Sequence, residues 1–144
     1  MLRSVLTVLI SFAAFVFVCC REGKHTLMPE VNKADSAVVM YYNQPGNPRF
    51  YKYTKVYDMK RILPVTKDVN KRIIESRNEC TTQGKIYFYR AKEEVYTVYF
   101  CRAKGCMTFS FIKTGEKYFT RMSDASKKLL DNLQAEAKEP TPVN

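Results

Sequence analysis

A chain of 144 residues with a formal charge of +10 has room for one domain, not two. A single histidine excludes histidine-based hydrolase triads and histidine-rich metal sites unless that one imidazole takes part. The positive balance favours polyanions as partners, without choosing among nucleic acid, anionic lipid headgroups and acidic polysaccharide.

The chain opens with a short basic stretch, Met1-Leu2-Arg3, followed by fifteen uncharged residues from Ser4 to Val18. That length suits the apolar core of an export signal and falls short of the roughly 20 residues a membrane-spanning helix needs. Cys19 and Cys20 follow at once, and the pair resembles the lipidation site of bacterial lipoproteins, with Cys19 in the small position before a modified Cys20. The leader and this cysteine predict an exported chain anchored to the cell-envelope membrane by lipid on Cys20. Ordinary cleavage and a short uncleaved anchor are the alternatives. Residues 1–19 read as signal peptide and 20–35 as a polar tether, with Gly23, Pro29 and a solvent-exposed His25. Residues 36–139 read as the domain and 140–144, with Pro140, as a frayed tail.

Within the domain, Ala37–Tyr42 is a short apolar run and Gln44-Pro45-Gly46-Asn47-Pro48 a strong breaker. Arg49–Tyr57 then alternates, so the two segments predict a hairpin. Pro64 announces a helix with Thr66 as its cap, Asp68 in its first turn, and Val69, Ile73 and Ile74 on one face before Gln83-Gly84. Glu75 and Glu79 would share that helix with Lys71, Arg72 and Arg77 as ion-pair partners.

Lys85–Arg90, Val95–Cys101, Cys106–Lys113 and Lys117–Met122 predict a meander. A four-residue loop, Arg102 to Gly105, would set Cys101 opposite Cys106, Phe100 opposite Met107, Val98 opposite Phe109, Tyr96 opposite Phe111 and Glu94 opposite Lys113. Val98, Phe100, Phe109 and Phe111 would then line a buried face, and Thr97, Tyr99, Thr108 and Ser110 the other. Ser123 caps a final helix with Asp124 in its first turn and Ala125, Leu129, Leu130, Leu133 and Ala137 as its stripe. The expected fold is α+β: an antiparallel sheet of about six strands (hairpin, helix, four-strand meander) with the C-terminal helix packed on one face.

The run Gly84-Lys85-Ile86-Tyr87-Phe88, the segment Phe111 to Phe119 and the cysteine-bearing leader together resemble small uncharacterised lipoproteins of Gram-negative bacterial envelopes. That resemblance implies an envelope location and no activity.

Three cysteines fall in the domain. Cys80, Cys101 and Cys106 gather at one end of the sheet, where one disulfide and a spare thiol are expected in an oxidising compartment. Cys80 can reach either hairpin cysteine, and Cys101–Cys106 competes with both. The spacing matches no zinc or redox motif, so no metal or cofactor is implied. The strand Arg49–Tyr57 interleaves tyrosines and bases, with Tyr51, Tyr53, Lys55 and Tyr57 on one face and Phe50, Lys52, Thr54 and Val56 on the other. Such a strand either solvates its lysines at the sheet rim or offers stacking and cations to a polyanion. Arg49, Lys52, Lys55, Lys60 and Arg61 are the candidate anion-binding residues. The composite expectation is a non-catalytic binding or interaction module on the membrane, with a protein or polyanionic partner and no small-molecule substrate. A nucleic-acid or other polyanion binder, and a thiol enzyme built on the three cysteines, are the alternatives.

Overall fold

A computed structural model of the protein describes residues 27–141. The leader, Cys19, Cys20, His25 and residues 142–144 lie outside the described residues. Among the described residues, no helix is long and apolar enough to cross a membrane.

The fold is α+β, with a seven-stranded antiparallel sheet. In chain order the strands are β1 (Ser36–Gln44), β2 (Asn47–Val56), β3 (Ile73–Ile74), β4 (Gly84–Arg90), β5 (Glu93–Cys101), β6 (Thr108–Lys113) and β7 (Glu116–Arg121). Helix α1 (Leu63–Val69) lies between β2 and β3, and α2 (Asp124–Ala135) follows β7. The spatial order is β2-β1-β4-β5-β6-β7-β3, so β2 and the two-residue β3 form the edges. The β4–β5 and β6–β7 hairpins close through two-residue turns whose residues, Ala91-Lys92 and Thr114-Gly115, all have positive φ. Turns of that hand match the twist of the flanking strands.

One face of the sheet carries the core. Val39, Ile86, Phe88, Val98, Phe109 and Phe111 are fully buried there with Leu130 and Leu133 of α2. Polar ties fix α2 against this face. The Tyr41 phenol donates to the Leu130 carbonyl at 2.8 Å and Thr54 Oγ1 to the Leu133 carbonyl at 2.7 Å. Burial pushes the Tyr41 phenol far up, which keeps it a donor. Arg102 adds a clamp, bonding Asp131 at 2.7 Å and Gln134 at 2.8 Å while its guanidinium lies 5.3 Å from the Tyr41 ring centre.

The N-terminus of α2 is held by a second device. Ser123 caps it, as expected, accepting from the Ser126 N–H. Asp68, 2% exposed, then receives the Ser123 N–H at 2.7 Å and the Ser123 and Ser126 hydroxyls at 2.6 Å, all on Oδ2. Lys71 Nζ reaches its other oxygen at 2.5 Å. Burial works to raise the Asp68 pKa, but the bonds from Lys71, Ser123 and Ser126 prevail and hold it below the ordinary carboxylate value.

Several sequence expectations change. Helix α1 starts at Leu63 with Pro64 in its first turn, so Thr66 is buried inside it and is not the cap. The helix also ends at Val69. Asn70 Nδ2 takes the Thr66 carbonyl at 3.0 Å, while Asn70 Oδ1 accepts from the Met28 N–H at 2.9 Å, and this side-chain competition stops the helical ladder. Asp68 therefore stands at the end of α1, not in its first turn. Ile73 and Ile74 pair with Thr120 and Phe119 of β7 instead of lining a helix, and Glu75 and Glu79 are not helical. From Leu27 on, the expected tether belongs to the domain: Met28 and Val31 are fully buried in the core.

The β5–β6 register is offset by two residues from expectation. Phe100 faces Phe109, Cys101 faces Thr108 and Tyr99 faces Ser110. The cause is the connecting loop, where the Ala103 carbonyl accepts from both the Cys106 and Met107 N–H groups in a helix-like turn. That turn consumes residues 102–107 where four had been allotted. An offset of two preserves the faces, so the four aromatic and aliphatic core residues stay inside. The expected Glu94–Lys113 pairing is lost, and Lys113 instead faces Glu116 and bonds the Leu27 carbonyl.

Candidate functional site

Helices cover one face of the sheet, and tyrosines and lysines populate the other. The alternation foreseen for β2 places Tyr51, Tyr53 and Lys55 on this outer face. Strand β4 mirrors it with Lys85, Tyr87 and Tyr89. Between them runs β1, whose outward residues at this level, Val38 and the buried Met40, are apolar, with Tyr42 following on the same face. The result is a groove along β1 with an aliphatic floor and two aromatic walls. Neighbouring strands lie about 4.8 Å apart, so the wall strands stand roughly 10 Å from each other.

Registry makes the walls complementary across the floor. Met40 pairs with Tyr53 on one side and Lys85 on the other; Val38 pairs with Lys55 and Tyr87. Each lysine thus faces a tyrosine. Val38, Met40, Tyr51, Tyr53, Tyr87 and Tyr89 enclose a shallow cavity of about 290 Å³. All four of these tyrosines are half-buried, so each shows part of its ring to solvent.

Each lysine of the groove lies near a tyrosine ring of its own strand. Lys85 Nζ sits 4.6 Å from the Tyr87 ring centre, and Lys55 Nζ 5.9 Å from that of Tyr53. Burial acts to lower the Lys85 pKa, yet Tyr87 and the nearby phenols of Tyr42 and Tyr99 outweigh it and hold the ammonium above its usual value. Partial burial raises the Tyr42 phenol, with Lys85 opposing. At one end of the groove two carboxylates are engaged: Asp35, beside Ser36, accepts from the Ala91 N–H, and Glu94, opposite Tyr89, accepts from the Thr97 hydroxyl.

Of the five candidate anion-binding residues, Lys55 alone shares the groove's face, flanking a cavity lined by Val38, Met40 and the four tyrosines. Arg49 is exposed beyond the irregularity in pairing between Tyr42 and Gln44. Lys52 points to the opposite face, 4.0 Å from Glu139. Lys60 and Arg61 fall in the turn after β2, and Arg61 is paired with Glu136. Lys85 was missed as a site residue although its signal is present: Lys85-x-Tyr87-x-Tyr89 repeats, reversed, the Tyr51-x-Tyr53-x-Lys55 alternation.

Cys80 and Cys106 lie at disulfide distance, with Cα atoms 5.7 Å apart across a separation of 26 residues. The bond links the β3–β4 connection to the β5–β6 loop. Cys101 is a free thiol, buried in β5, so among the described residues the one unpaired cysteine is not exposed. A larger cavity, about 510 Å³, lies beside Cys106 and contains Arg77 and Arg121. Its charge is offset, because Asp124 shares the lining and Glu79 lies 3.4 Å from Arg77.

No known family model, curated protein or solved structure matches this chain.

Proposed function

We propose that the protein is a non-catalytic binding module of the cell envelope, held to the membrane by lipid on Cys20, with the outer groove of the sheet as its binding surface. The observation that carries the reading is the facing pair of Tyr/Lys walls over a short aliphatic floor. Partly exposed tyrosines supply broad contact area with few rotatable bonds, and they are enriched where proteins meet partners. A half-buried lysine kept charged beside three phenols is costly for packing alone and is useful to an anionic or hydrogen-bonding ligand.

A photocrosslinking residue placed at Tyr53 or Tyr87 in cells should give a discrete adduct, whereas the same residue at Lys128, exposed on α2, should not. Equal labelling from both faces would show that the groove is not the binding surface. The anchor has its own test. Cys20→Ser should abolish palmitate incorporation and move the protein out of the membrane fraction. Labelling that survives Cys20→Ser and disappears with Cys19→Ser would assign the anchor to the other cysteine.

A further inference from the structure

We infer that the groove takes a linear acidic polysaccharide, its sugar rings lying against the partly exposed rings of Tyr51, Tyr53, Tyr87 and Tyr89 and its carboxylates reaching Lys55 and Lys85. The inference rests on the groove being the binding surface, and it names the chemistry of the ligand. Three features of the site select that chemistry.

Shape comes first. A groove that follows one strand, with the backbones of its wall strands roughly 10 Å apart, suits an extended polymer better than a compact molecule. Its tyrosine walls offer apolar ring bodies with polar tips. A pyranose ring has the matching character, with C–H groups on its faces and hydroxyls at its rim.

Charge comes second. Lys55 and Lys85 stand on opposite walls, each facing a tyrosine across the floor residue between them. Between them the walls carry no carboxylate, and Asp35 and Glu94 are engaged at the far end. A neutral chain would leave two ammonium groups without an anionic partner, whereas a chain bearing carboxylates alternately on its two sides would meet both. Lysine is a point charge that tolerates varied approach, which fits carboxylates spaced along a polymer.

Compartment comes third. A bond between Cys80 and Cys106 persists where the surroundings are oxidising. Outside the reducing cytosol, acidic polysaccharides are available polyanions, and this separates them from nucleic acid, which stacking tyrosines and lysines could also accommodate.

The full chain, solubilised in detergent, carries its own probe in its tyrosine fluorescence. Titration with polygalacturonate or alginate at low salt should quench it, with affinity falling steeply as salt is added. Methyl-esterified polygalacturonate, the same backbone without charge, should bind at least about tenfold more weakly. Lys85→Gln and Lys55→Gln should each weaken binding several-fold and Tyr87→Ala at least as much, with unchanged melting temperature confirming the fold. Lys52→Gln, on the opposite face, should leave affinity unaltered. The inference is overturned if neither polyuronate binds, if the esterified chain binds as well as the acid, or if oligo(dT) binds more tightly and loses affinity with the same substitutions. Face-specific crosslinking at Tyr53 or Tyr87 alongside any of these results would leave the binding-module reading standing without its acidic glycan.

Discussion

Phe109→Ala is expected to cost about 3–5 kcal/mol of folding stability, the range for truncating a fully buried phenylalanine. Phe109 is 0% exposed at the centre of the inner face, with Phe100 opposite on β5 and Thr120 opposite on β7. Small domains carry only about 5–15 kcal/mol in total, so the variant should populate unfolded chain at low denaturant. Ser110, the next residue, supplies the control. It faces outward, but it is 6% exposed, lying between Tyr99 and Phe119, and is not the solvated position that alternation alone implies. Ser110→Ala removes one hydroxyl and no ring, so about 1 kcal/mol or less is expected. Urea melts of the two variants measure the contrast, and a larger loss for Ser110→Ala would mean that the faces of β6 are reversed.

That contrast survives an error in register, which shows what kind of information strand patterning holds. Alternation specifies which residues share a face, since every second side chain points the same way. It does not specify which partner lies opposite, because an offset of two leaves every face intact. The partner depends on the loop, and the helix-like turn at Ala103 has no sequence mark as plain as the glycine of Thr114-Gly115. Helix α1 failed for a related reason. Ile73 and Ile74 continue the helical spacing set by Val69, but Asn70 has already taken a carbonyl of the helix, and two adjacent β-branched residues fit an edge strand well. The C-terminal helix was legible because its cap, first-turn acid and the Leu129, Leu130 and Leu133 stripe agree with one another, although Ala125 is exposed and Ala137 lies beyond the helix end. The segment around Met28 and Val31 was not, since two apolar residues in a polar stretch have no period.

The site was half legible. One wall of the groove could be read from β2 alone, where tyrosine and lysine alternate without interruption. The other wall begins thirty residues further along the sequence, at Lys85, and it joins the first only because β1 pairs with β2 on one edge and β4 on the other. Nothing local to Lys85 announces that neighbour. The cluster of five bases nearest in sequence to Lys55 was, by contrast, divided by the strand itself, which sends Lys52 to the opposite face. Proximity along a strand is therefore a poor guide to a shared surface, and proximity across a ladder is a good one.

Asp68→Ala is expected to cost about 3–5 kcal/mol at neutral pH, comparable to the loss of a core ring. Removing the carboxylate strands the buried Ser126 hydroxyl and the part-buried Ser123 N–H, and leaves the Ser123 hydroxyl only the Ser126 Oγ at 3.4 Å; an unsatisfied buried donor costs about 1–3 kcal/mol. Lys71, whose side chain is 54% exposed, simply returns to water and adds little. The penalty falls where α1 meets the start of α2, so it should appear as loss of α2 packing against the sheet as well as lower global stability. Acid provides an independent signature. Hydrogen bonds hold the Asp68 carboxyl below its ordinary pKa in the folded state, whereas the unfolded chain takes up that proton near about pH 3.9. The stabilisation is thus fully present above about pH 4 and drains away as pH falls through the folded-state value. One proton bound on unfolding tilts stability by at most about 1.4 kcal/mol per pH unit. Urea melts between pH 7 and pH 2.5 should therefore show a steeper acid limb for the parent than for Asp68→Ala. Parallel acid limbs, or a neutral-pH loss below about 1 kcal/mol, would remove Asp68 from its role as the residue that holds α2 in place.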